Sequence, residues 1–455
     1  MDKTLGAALD YIPRWLSFQV ANSRQVGCAI AIRHNGKLVF DQAFGLADIK
    51  AGTRLMPAHR FRAASHSKSF AAAGVMVLAG AKKLRLDDTA GQYVKGLDKA
   101  VARVTIAELL SHSAGLIRDG LDAAFWYSTR RAIARDELRA ELKGADILPA
   151  NTRFKYSNHG FGLIGLVIEA VTGETYRAFI EREVMAAAGL KETQADGPVR
   201  RGVPLSEGYS AEWPVGERLR FRPNEPTDAI APAGGTIATA RDLAGFFAQL
   251  DPAAKHSFLP VAARREMVRL HREIPDMSVP RQYGLGLILG ETGGWRFFGH
   301  SGGYPGFITR TCVYPAQGLS ISVLTNCIDG WAHIWLDGAM HIIQTFARHG
   351  APSRRTASWT GRWCAHWGPG DYVPMGDRVL VANPGIAAAP FMDASELTVT
   401  GRDSAVISRA NGFGSHGERV RRVRDAKGRI TALWFAGGRM VPEKQLARDM
   451  RKKLR

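Results

Sequence analysis

Strand-like segments occur at both ends of the first 350 residues, and this arrangement limits the fold more than any other feature of the sequence. Residues 28–44 alternate apolar and polar around Asn35-Gly36, a pair that supplies the positive φ angles of a tight hairpin. Later strand-like runs lie at residues 283–289, 295–298, 306–313 and 319–325. The sheet that the hairpin starts is therefore completed by segments from far along the chain.

Helical patterns fill the residues between these strands. An apolar helix is predicted from about Ser65 to Lys83, and further helices are predicted over residues 105–110, 131–143 and 161–190. Thr239, followed three residues later by Asp242, resembles a capping arrangement that opens another helix. A helix over residues 331–348 is predicted to cover the sheet. Together these patterns predict an α/β (α+β) fold with an antiparallel sheet flanked by helices and an all-helical subdomain.

A change of composition divides the chain. Residues 349–360 are rich in Gly, Pro, Ser and Arg, as expected of a linker, so we place a boundary near residue 352. The predicted domains are residues 1–351 and 352–455, and 455 residues exceed what one core usually serves. Short strand-like runs in the second domain predict a small β-barrel, and no segment there shows the helical period of 3.6.

Ser65-His66-Ser67-Lys68 lies where a polar segment gives way to the apolar helix. A spacing of three on a helix puts the serine and the lysine on one face, about 5 to 6 Å apart at Cβ. A lysine partly removed from water loses enough basicity to accept the serine proton near pH 7. The motif alone occurs about once by chance in a chain of this length. The alternative is an N-cap serine followed by a surface lysine.

Tyr156-Ser157-Asn158 lies in a polar turn just before a predicted helix. The Tyr156 phenol, with its pKa lowered by a neighbouring Lys68 ammonium, can act as a general base and return the proton to the leaving group. Either Lys68 or Tyr156 can therefore be the primary base. Asn158 can hold Lys68 or a substrate carbonyl through its amide. The alternative is a buried tyrosine whose hydroxyl is satisfied within the protein.

The segment Gly299-His300-Ser301-Gly302-Gly303 follows a predicted strand, and its glycines let a substrate backbone approach the strand edge. The same residues fit the nucleophile elbow G-x-S-x-G, in which Ser301 would be the nucleophile of an α/β-hydrolase. An elbow is followed directly by a helix, whereas a strand is predicted after residue 303. We therefore disfavour this alternative.

The three motifs, in this order and spacing, resemble the signatures of the serine β-lactamase and DD-peptidase superfamily, and most closely its class C branch. The resemblance covers about residues 10–350 and includes LLSHSAGL at 109–116 and PAGGTIATARDL at 232–243. It implies a β-lactamase/transpeptidase-like fold with the active site between the sheet and the helical subdomain. It also implies an oxyanion hole formed by the backbone amides of Ser65 and Gly303.

The resemblance further implies a role for each motif residue. Ser65 would be the nucleophile, and Lys68 and Tyr156 would transfer protons. The implied substrate-binding residues are Asn158, His300, Ser301, Gly302 and Gly303.

The third motif departs from the usual family pattern, because β-lactamases carry Lys-Thr-Gly where this chain has His300-Ser301-Gly302. A permanent ammonium attracts a substrate carboxylate, whereas a histidine is only partly charged near neutral pH. Family members with H-x-G look like D-aminopeptidases, D-peptide amidases and short-chain esterases. Several such peptidases append lipocalin-like barrels that shape the cleft and assist oligomerisation, which agrees with the predicted second domain.

We therefore expect a serine hydrolase that forms an acyl-enzyme on Ser65 and cleaves D-amino-acid-containing peptides or amides. A short-chain esterase and a β-lactamase are alternatives on the same fold. A catalytically silent penicillin- or peptide-binding protein is the alternative of another class.

Neither a metal nor a cofactor is expected. Gly160-x-Gly162-x-x-Gly165 matches the dinucleotide fingerprint, with Glu181 or Glu183 at a plausible distance, but no apolar strand precedes it. The chain has no H-E-x-x-H motif, and His112 and His159 are predicted to be structural. The four cysteines show neither metal-binding nor disulfide spacing and are predicted to be buried free thiols.

The formal charge of +19, from 61 Lys and Arg against 42 Asp and Glu, could attract nucleic acid or acidic membranes. The excess is mostly arginine spread along the chain, so we expect neither partner, and no apolar run is long enough to span a bilayer. A small-molecule or peptide substrate is the expected partner, and homo-oligomer formation is left open. The first 24 residues predict an amphipathic helix without the apolar region of a signal peptide, which favours a cytoplasmic protein.

Overall fold

The computed structural model describes residues 2–127, 130–199, 201–221 and 224–453. Its contacts divide the chain into two compact units. One unit consists of residues 25–333, and the other combines residues 1–24 with residues 334–455. The domain boundary near residue 352 stays a prediction.

The described residues form thirteen α-helices. They are α1 (Lys3–Asn22), α2 (Ser67–Gly80), α3 (Ala90–Tyr93), α4 (Lys99–Arg103), α5 (Ile106–Leu110), α6 (Arg135–Glu141), α7 (Asn158–Thr172), α8 (Tyr176–Ile180), α9 (Ala231–Gly234), α10 (Ala240–Gln249), α11 (Val261–Val268), α12 (Ala332–His349) and α13 (Glu443–Lys453). No described helix is long and apolar enough to cross a membrane.

The described part of residues 25–333 contains thirteen strands. They are β1 (Gly27–His34), β2 (Lys37–Asp48), β3 (Thr53–Arg54), β4 (Phe61–Arg62), β5 (Gly208–Tyr209), β6 (Arg220–Phe221), β7 (Ile237–Ala238), β8 (Arg272–Ile274), β9 (Arg281–Tyr283), β10 (Ile288–Thr292), β11 (Trp295–Tyr304), β12 (Phe307–Tyr314) and β13 (Leu319–Thr325).

Nine of these strands form one antiparallel sheet in the order β3-β2-β1-β13-β12-β11-β10-β9-β8. β1 pairs with β13, so the middle of the sheet joins segments from both ends of the unit, as the sequence predicts. The β1-β2 hairpin turns at Asn35 and Gly36, whose φ angles are 49° and 77°. Helix α10 packs on β13 and β1. Its N-terminus is capped by the Thr239 side chain, which accepts a hydrogen bond from the Asp242 amide at 3.3 Å. The predicted α/β fold is confirmed.

The predicted strand over residues 283–289 is interrupted. β9 ends at Tyr283 and β10 begins at Ile288. Gly286 lies between them with a φ of 66°, and its carbonyl accepts a hydrogen bond from the Ser69 hydroxyl at 2.6 Å. The segment therefore leaves the sheet and contacts α2, which the alternation of side chains does not reveal.

Helix α2 is the central helix of this unit. Its sequence is apolar on nearly all sides, and eleven of its residues from Ser67 to Leu78 are buried. A helix that is apolar all round has to lie inside the protein. α2 packs against α7 and α9 in the interior of the helical subdomain.

The second unit contains an eight-stranded antiparallel sheet. Its strands are β14 (Gly361–Ala365), β15 (Gly368–Met375), β16 (Arg378–Ala382), β17 (Ser395–Gly401), β18 (Ser404–Arg409), β19 (Arg419–Arg424), β20 (Ile430–Phe435) and β21 (Gly438–Met440). Cys364 on the first strand exchanges two hydrogen bonds, of 2.8 and 3.0 Å, with Val441 just after the last one. The sheet is therefore a nearly closed barrel, as predicted.

Two helices of this unit depart from what the sequence suggests. α1 contacts the barrel, because the Tyr11 hydroxyl donates to Asp371 at 3.0 Å and Arg362 donates to the Arg14 carbonyl at 3.1 Å. The sequence shows no helical period after residue 352, yet residues Glu443–Lys453 form helix α13. Leu446 and Met450 are the two partly buried large apolar side chains of α13. Two such residues are too few to show a helical period in the sequence.

Candidate active site

The three sequence motifs meet at a cleft of about 1080 Å³ in the first unit. Ser65, Tyr156 and Asn158 line the side formed by helical residues, and residues 300–303 of β11 line the side formed by the sheet. The structure therefore brings together the candidate residues, with Lys68 buried directly behind Ser65.

Ser65 lies in a short 3-10 turn, Ala64–His66, immediately before α2. Ala64 has a φ of 51°, a conformation that costs energy for any residue with a side chain. The turn is held by Ser67, whose hydroxyl donates to the Ala64 carbonyl at 2.6 Å and accepts from the Thr236 amide at 2.9 Å. These contacts present the partly exposed Ser65 side chain to the cleft.

Lys68 is fully buried, and its Nζ atom lies 3.1 Å from Ser65 Oγ. Nζ also donates to Asn158 Oδ1 at 2.7 Å and to the Ala233 carbonyl at 2.8 Å. Burial lowers the pKa of Lys68 well below its ordinary value, as predicted. A neutral amine has two N–H groups and one lone pair. In the neutral form of Lys68, the two carbonyl oxygens can take both N–H groups, and the lone pair then faces the Ser65 hydroxyl.

Tyr156 approaches Ser65 from the other side. Its hydroxyl donates to Ser65 Oγ at 2.9 Å. Burial raises the pKa of Tyr156 to about 12, so the expectation of a lowered pKa is wrong. The physical reason is that burial disfavours both the phenolate and the Lys68 ammonium that was expected to stabilise it. Tyr156 is therefore a proton donor in the resting site.

Asn158 is the first residue of α7, and Ser157 caps that helix by accepting from the Gly160 amide at 2.8 Å. Asn158 Nδ2 donates to Asp119 Oδ1 at 2.5 Å. Asp119 Oδ1 also accepts from Trp126 Nε1 at 2.7 Å, which fixes the carboxylate. Asn158 is thus oriented so that its carbonyl oxygen faces Lys68, in agreement with its predicted role.

Sequence reasoning missed Asp119 and the Ala233 carbonyl. Both lie in or next to stretches typical of the family, since Asp119 follows LLSHSAGL and Ala233 belongs to PAGGTIATARDL. Those stretches were the available signal. No local spacing rule connects either residue with Lys68, because the contacts join segments that are distant in sequence.

The sheet side of the cleft is formed by β11. β10 pairs with this strand only up to Gly299, so the following residues present their backbone to the cleft. A Cβ atom on Gly302 would lie 2.2 Å from the Ala63 carbonyl oxygen. A Cβ on Gly303 would meet only Ile308 Cδ1, at 3.6 Å. Gly302 therefore allows the strand to approach the turn of the nucleophile, and Gly303 leaves space for a substrate.

His300 is only 3% exposed. Its Nε2 atom lies 2.9 Å from the Tyr283 hydroxyl, and its Nδ1 atom lies 2.6 Å from the carbonyl oxygen of Ser301. Burial, with smaller effects of His66 and Lys68, lowers the pKa of His300 well below its ordinary value. The imidazole is therefore neutral near pH 7, where partial charge was expected.

The remaining histidines and glycines of interest have structural contacts. His112 Nδ1 accepts from the Ser157 amide at 3.1 Å, and His159 Nε2 contacts Glu141 Oε2 at 2.6 Å. A Cβ on Gly165 would lie 2.6 Å from Pro232, which shows that this glycine serves helix packing.

The four cysteines are buried, as predicted. Among the residues that the structure describes, no group of His, Cys, Asp or Glu could hold a metal ion.

The sequence of this chain is similar to those of known proteins. The sequence model of the Beta-lactamase family matches residues 14–330, more than half of the chain. The chain belongs to the beta-lactamase family.

Among curated proteins, it is 26% identical over 328 residues to penicillin-binding protein 4* of Bacillus subtilis (strain 168). The match covers 68% of this chain and 69% of that protein. The D-aminopeptidase of Brucella anthropi is 28% identical over 356 residues, covering 75% of this chain. The match spans 64% of that aminopeptidase, less than two thirds of its length.

Solved structures with a similar fold are also known. The octameric penicillin-binding protein homologue from Pyrococcus abyssi has a TM-score of 0.66 at 20% identity, covering 95% of this chain and 99% of that one. The D-amino acid amidase from Ochrobactrum anthropi SV3, complexed with D-phenylalanine, has a TM-score of 0.62 at 21% identity. It covers 76% of this chain and 99% of its own. Likeness at this identity shows a shared fold.

Proposed function

We propose that this beta-lactamase-family protein is a serine hydrolase that forms an acyl-enzyme on Ser65. The observation that carries the proposal is the hydrogen bonding of Lys68, whose two N–H groups are taken by Asn158 and Ala233 while Ser65 Oγ lies at 3.1 Å. A serine placed against an amine lone pair is an activated nucleophile. Since burial lowers the pKa of Lys68 and raises that of Tyr156, we assign Lys68 as the primary base in this proposal.

Acylation follows from these contacts. Ser65 Oγ attacks the substrate carbonyl and its proton passes to Lys68 Nζ. The oxyanion is bound by the backbone amides of Ser65 and Gly303. As the tetrahedral intermediate collapses, Tyr156 donates its hydroxyl proton to the leaving group, and the Lys68 ammonium returns a proton to Tyr156. The net transfer takes one proton from Ser65 to the leaving group.

In deacylation, Lys68 and Ser65 act again, with water as the nucleophile. Lys68, again neutral, accepts a proton from a water molecule that attacks the ester carbonyl of the acyl-enzyme. The released Ser65 oxygen is then protonated by Lys68. No group beyond those of the chain and water is required for the balance of protons.

Peptides or amides that contain D-amino acids are the substrates we propose. Two relatives named D-aminopeptidase and D-amino acid amidase support this choice. His300 is neutral, so the sheet side lacks the ammonium that Lys-Thr-Gly provides for a β-lactam carboxylate, which makes β-lactam hydrolysis the weaker alternative. A cytoplasmic location and homo-oligomer formation stay predictions.

Intact-mass measurement after incubation with a fluorophosphonate, and separately with a penicillin, tests the proposal. We expect a fluorophosphonate adduct on the native protein and none on Ser65→Ala, together with turnover of D-amino-acid amides that the variant lacks. Circular dichroism shows whether the variant is folded. Full activity in a folded Ser65→Ala would contradict the assignment. A stable adduct without turnover of any substrate would favour a silent binding protein.

A further inference from the structure

The basic side chains around Ser65 differ in burial. Lys68 and His300 are both buried, and burial lowers the pKa of each well below its ordinary value. Arg118, Arg281 and Arg310 also line the cleft. The Arg118 side chain is 64% exposed, and a guanidinium carries a permanent positive charge. Arg118 therefore supplies a positive charge on the helical side, where the sequence predicted Asn158 as the binding residue.

Arg118 is fixed relative to the catalytic groups. Its backbone carbonyl accepts hydrogen bonds from the amides of Asn158 at 2.8 Å and His159 at 3.2 Å, which ties it to the first turn of α7. Its guanidinium carbon lies 5.1 Å from the centre of the Tyr156 ring. Since the Tyr156 hydroxyl contacts Ser65 Oγ at 2.9 Å, a substrate bound to Ser65 passes close to Arg118.

The neighbouring Asp119 carboxylate does not remove this charge from the cleft. Arg118 Nε donates to Asp119 Oδ2 at 2.9 Å, but Asp119 also accepts hydrogen bonds from Asn158 and Trp126. Asp119 is 14% exposed, whereas the Arg118 side chain is 64% exposed and reaches into the cleft. A guanidinium can bind a second carboxylate through its terminal N–H groups. The helical side of the cleft is thus suited to an anionic group.

We infer that Arg118 binds a carboxylate of the substrate, so that the preferred substrates carry a carboxylate on the part that faces the helical side of the cleft. The inference rests on the proposed hydrolase function and names its substrate class. The usual family pattern puts a cation at the third motif on the sheet, where this chain has His300. Arg281 and Arg310 of the sheet also line the cleft, but it is Arg118 whose guanidinium lies over the ring of Tyr156, next to Ser65.

Matched substrates with and without a carboxylate test the inference in the full-length protein. N-succinyl- and N-acetyl-D-alanyl p-nitroanilide place the carboxylate on the acyl side, and a carboxyanilide with its parent anilide places it on the leaving group. We expect the native protein to favour the anionic member of one pair by about tenfold in kcat/KM, mainly through KM. The preference should fall as salt is added.

Arg118→Gln should abolish the preference, and Arg118→Lys should restore part of it, because lysine keeps the charge without the bidentate geometry. Arg281→Gln is the matched control, since Arg281 lines the sheet side of the same cleft, and it should leave the ratio of the two kcat/KM values as it is. Turnover of both members without preference, or a preference that survives in Arg118→Gln, would overturn the inference alone. Absence of turnover for all four substrates, together with absence of fluorophosphonate labelling, would overturn the proposed function and the inference with it.

Discussion

The helical side and the sheet side of the cleft present different chemical groups. On the helical side, Lys68, Tyr156 and Asn158 form a hydrogen-bonded set around Ser65. On the sheet side, β11 offers backbone, two glycines and the neutral, buried His300. The helical side therefore carries the proton chemistry and the sheet side provides shape.

The contrast shows why a buried basic side chain has different hydrogen-bond partners on the two sides of the cleft. Lys68 and His300 are both bases with pKa values lowered by burial. In the proposed mechanism Lys68 directs a lone pair at the Ser65 hydroxyl, whereas both ring nitrogens of His300 contact Tyr283 and Ser301. Both groups are buried, and their hydrogen-bond partners decide which of them can act as a base.

Removing the base on the helical side should have the largest effect. Lys68→Met should lower kcat by about 10²- to 10⁴-fold, because Ser65 loses its proton acceptor. Lys68→Arg should be as inactive, since a guanidinium has no lone pair to offer. Single-turnover kinetics on D-amino-acid amides measure the loss, with thermal unfolding as the control for folding. An active Lys68→Arg variant would contradict the assignment of the base.

Tyr156→Phe should have a smaller effect that depends on the leaving group. An amine leaving group requires a proton, whereas p-nitrophenolate does not, so kcat should fall by about 10²-fold on an amide and by less than about tenfold on a p-nitrophenyl ester. Rates on an amide and an ester with the same acyl group make the comparison. Equal losses on both substrates would mean that Tyr156 does not protonate the leaving group.

Two alanine substitutions on the sheet side separate shape from chemistry. Gly302→Ala should destabilise the protein by about 1 to 3 kcal/mol, because the added Cβ meets the Ala63 carbonyl of the nucleophile turn. Gly303→Ala is the matched control and should change the free energy of unfolding by less than about 0.5 kcal/mol, since its Cβ meets only Ile308 at 3.6 Å. Urea unfolding measures both. Equal destabilisation would show that β11 is not packed against the turn.

The smallest expected effect is a shift in pH dependence. The Asp119 carboxylate raises the pKa of Lys68, in opposition to burial. Neutral Lys68 is the active form, so kcat/KM should decline as pH falls through this pKa. Asp119→Asn removes the raising effect and should move the acid limb of the kcat/KM profile to lower pH. A shift to higher pH would contradict this electrostatic role.

Several elements could be predicted because their signals are local. The Asn35-Gly36 hairpin, the boundaries of β13 and the Thr239 cap all depend on neighbouring residues. The interruption at Gly286 and the helix α13 were missed. Gly286 leaves the sheet because Ser69 binds its carbonyl, and α13 has too few apolar residues for its period to be visible.

The sequence by itself determined which residues meet and in what order, because a spacing of three on a helix and a family-like succession of motifs already name Ser65, Lys68, Tyr156 and His300. Only the tertiary structure decided their protonation states. A pKa depends on the burial and the hydrogen bonds that distant segments supply, such as Asp119 and Ala233 around Lys68. Those contacts underlie the roles that we propose for Lys68 as the base, Tyr156 as the acid and Arg118 as the carboxylate-binding cation.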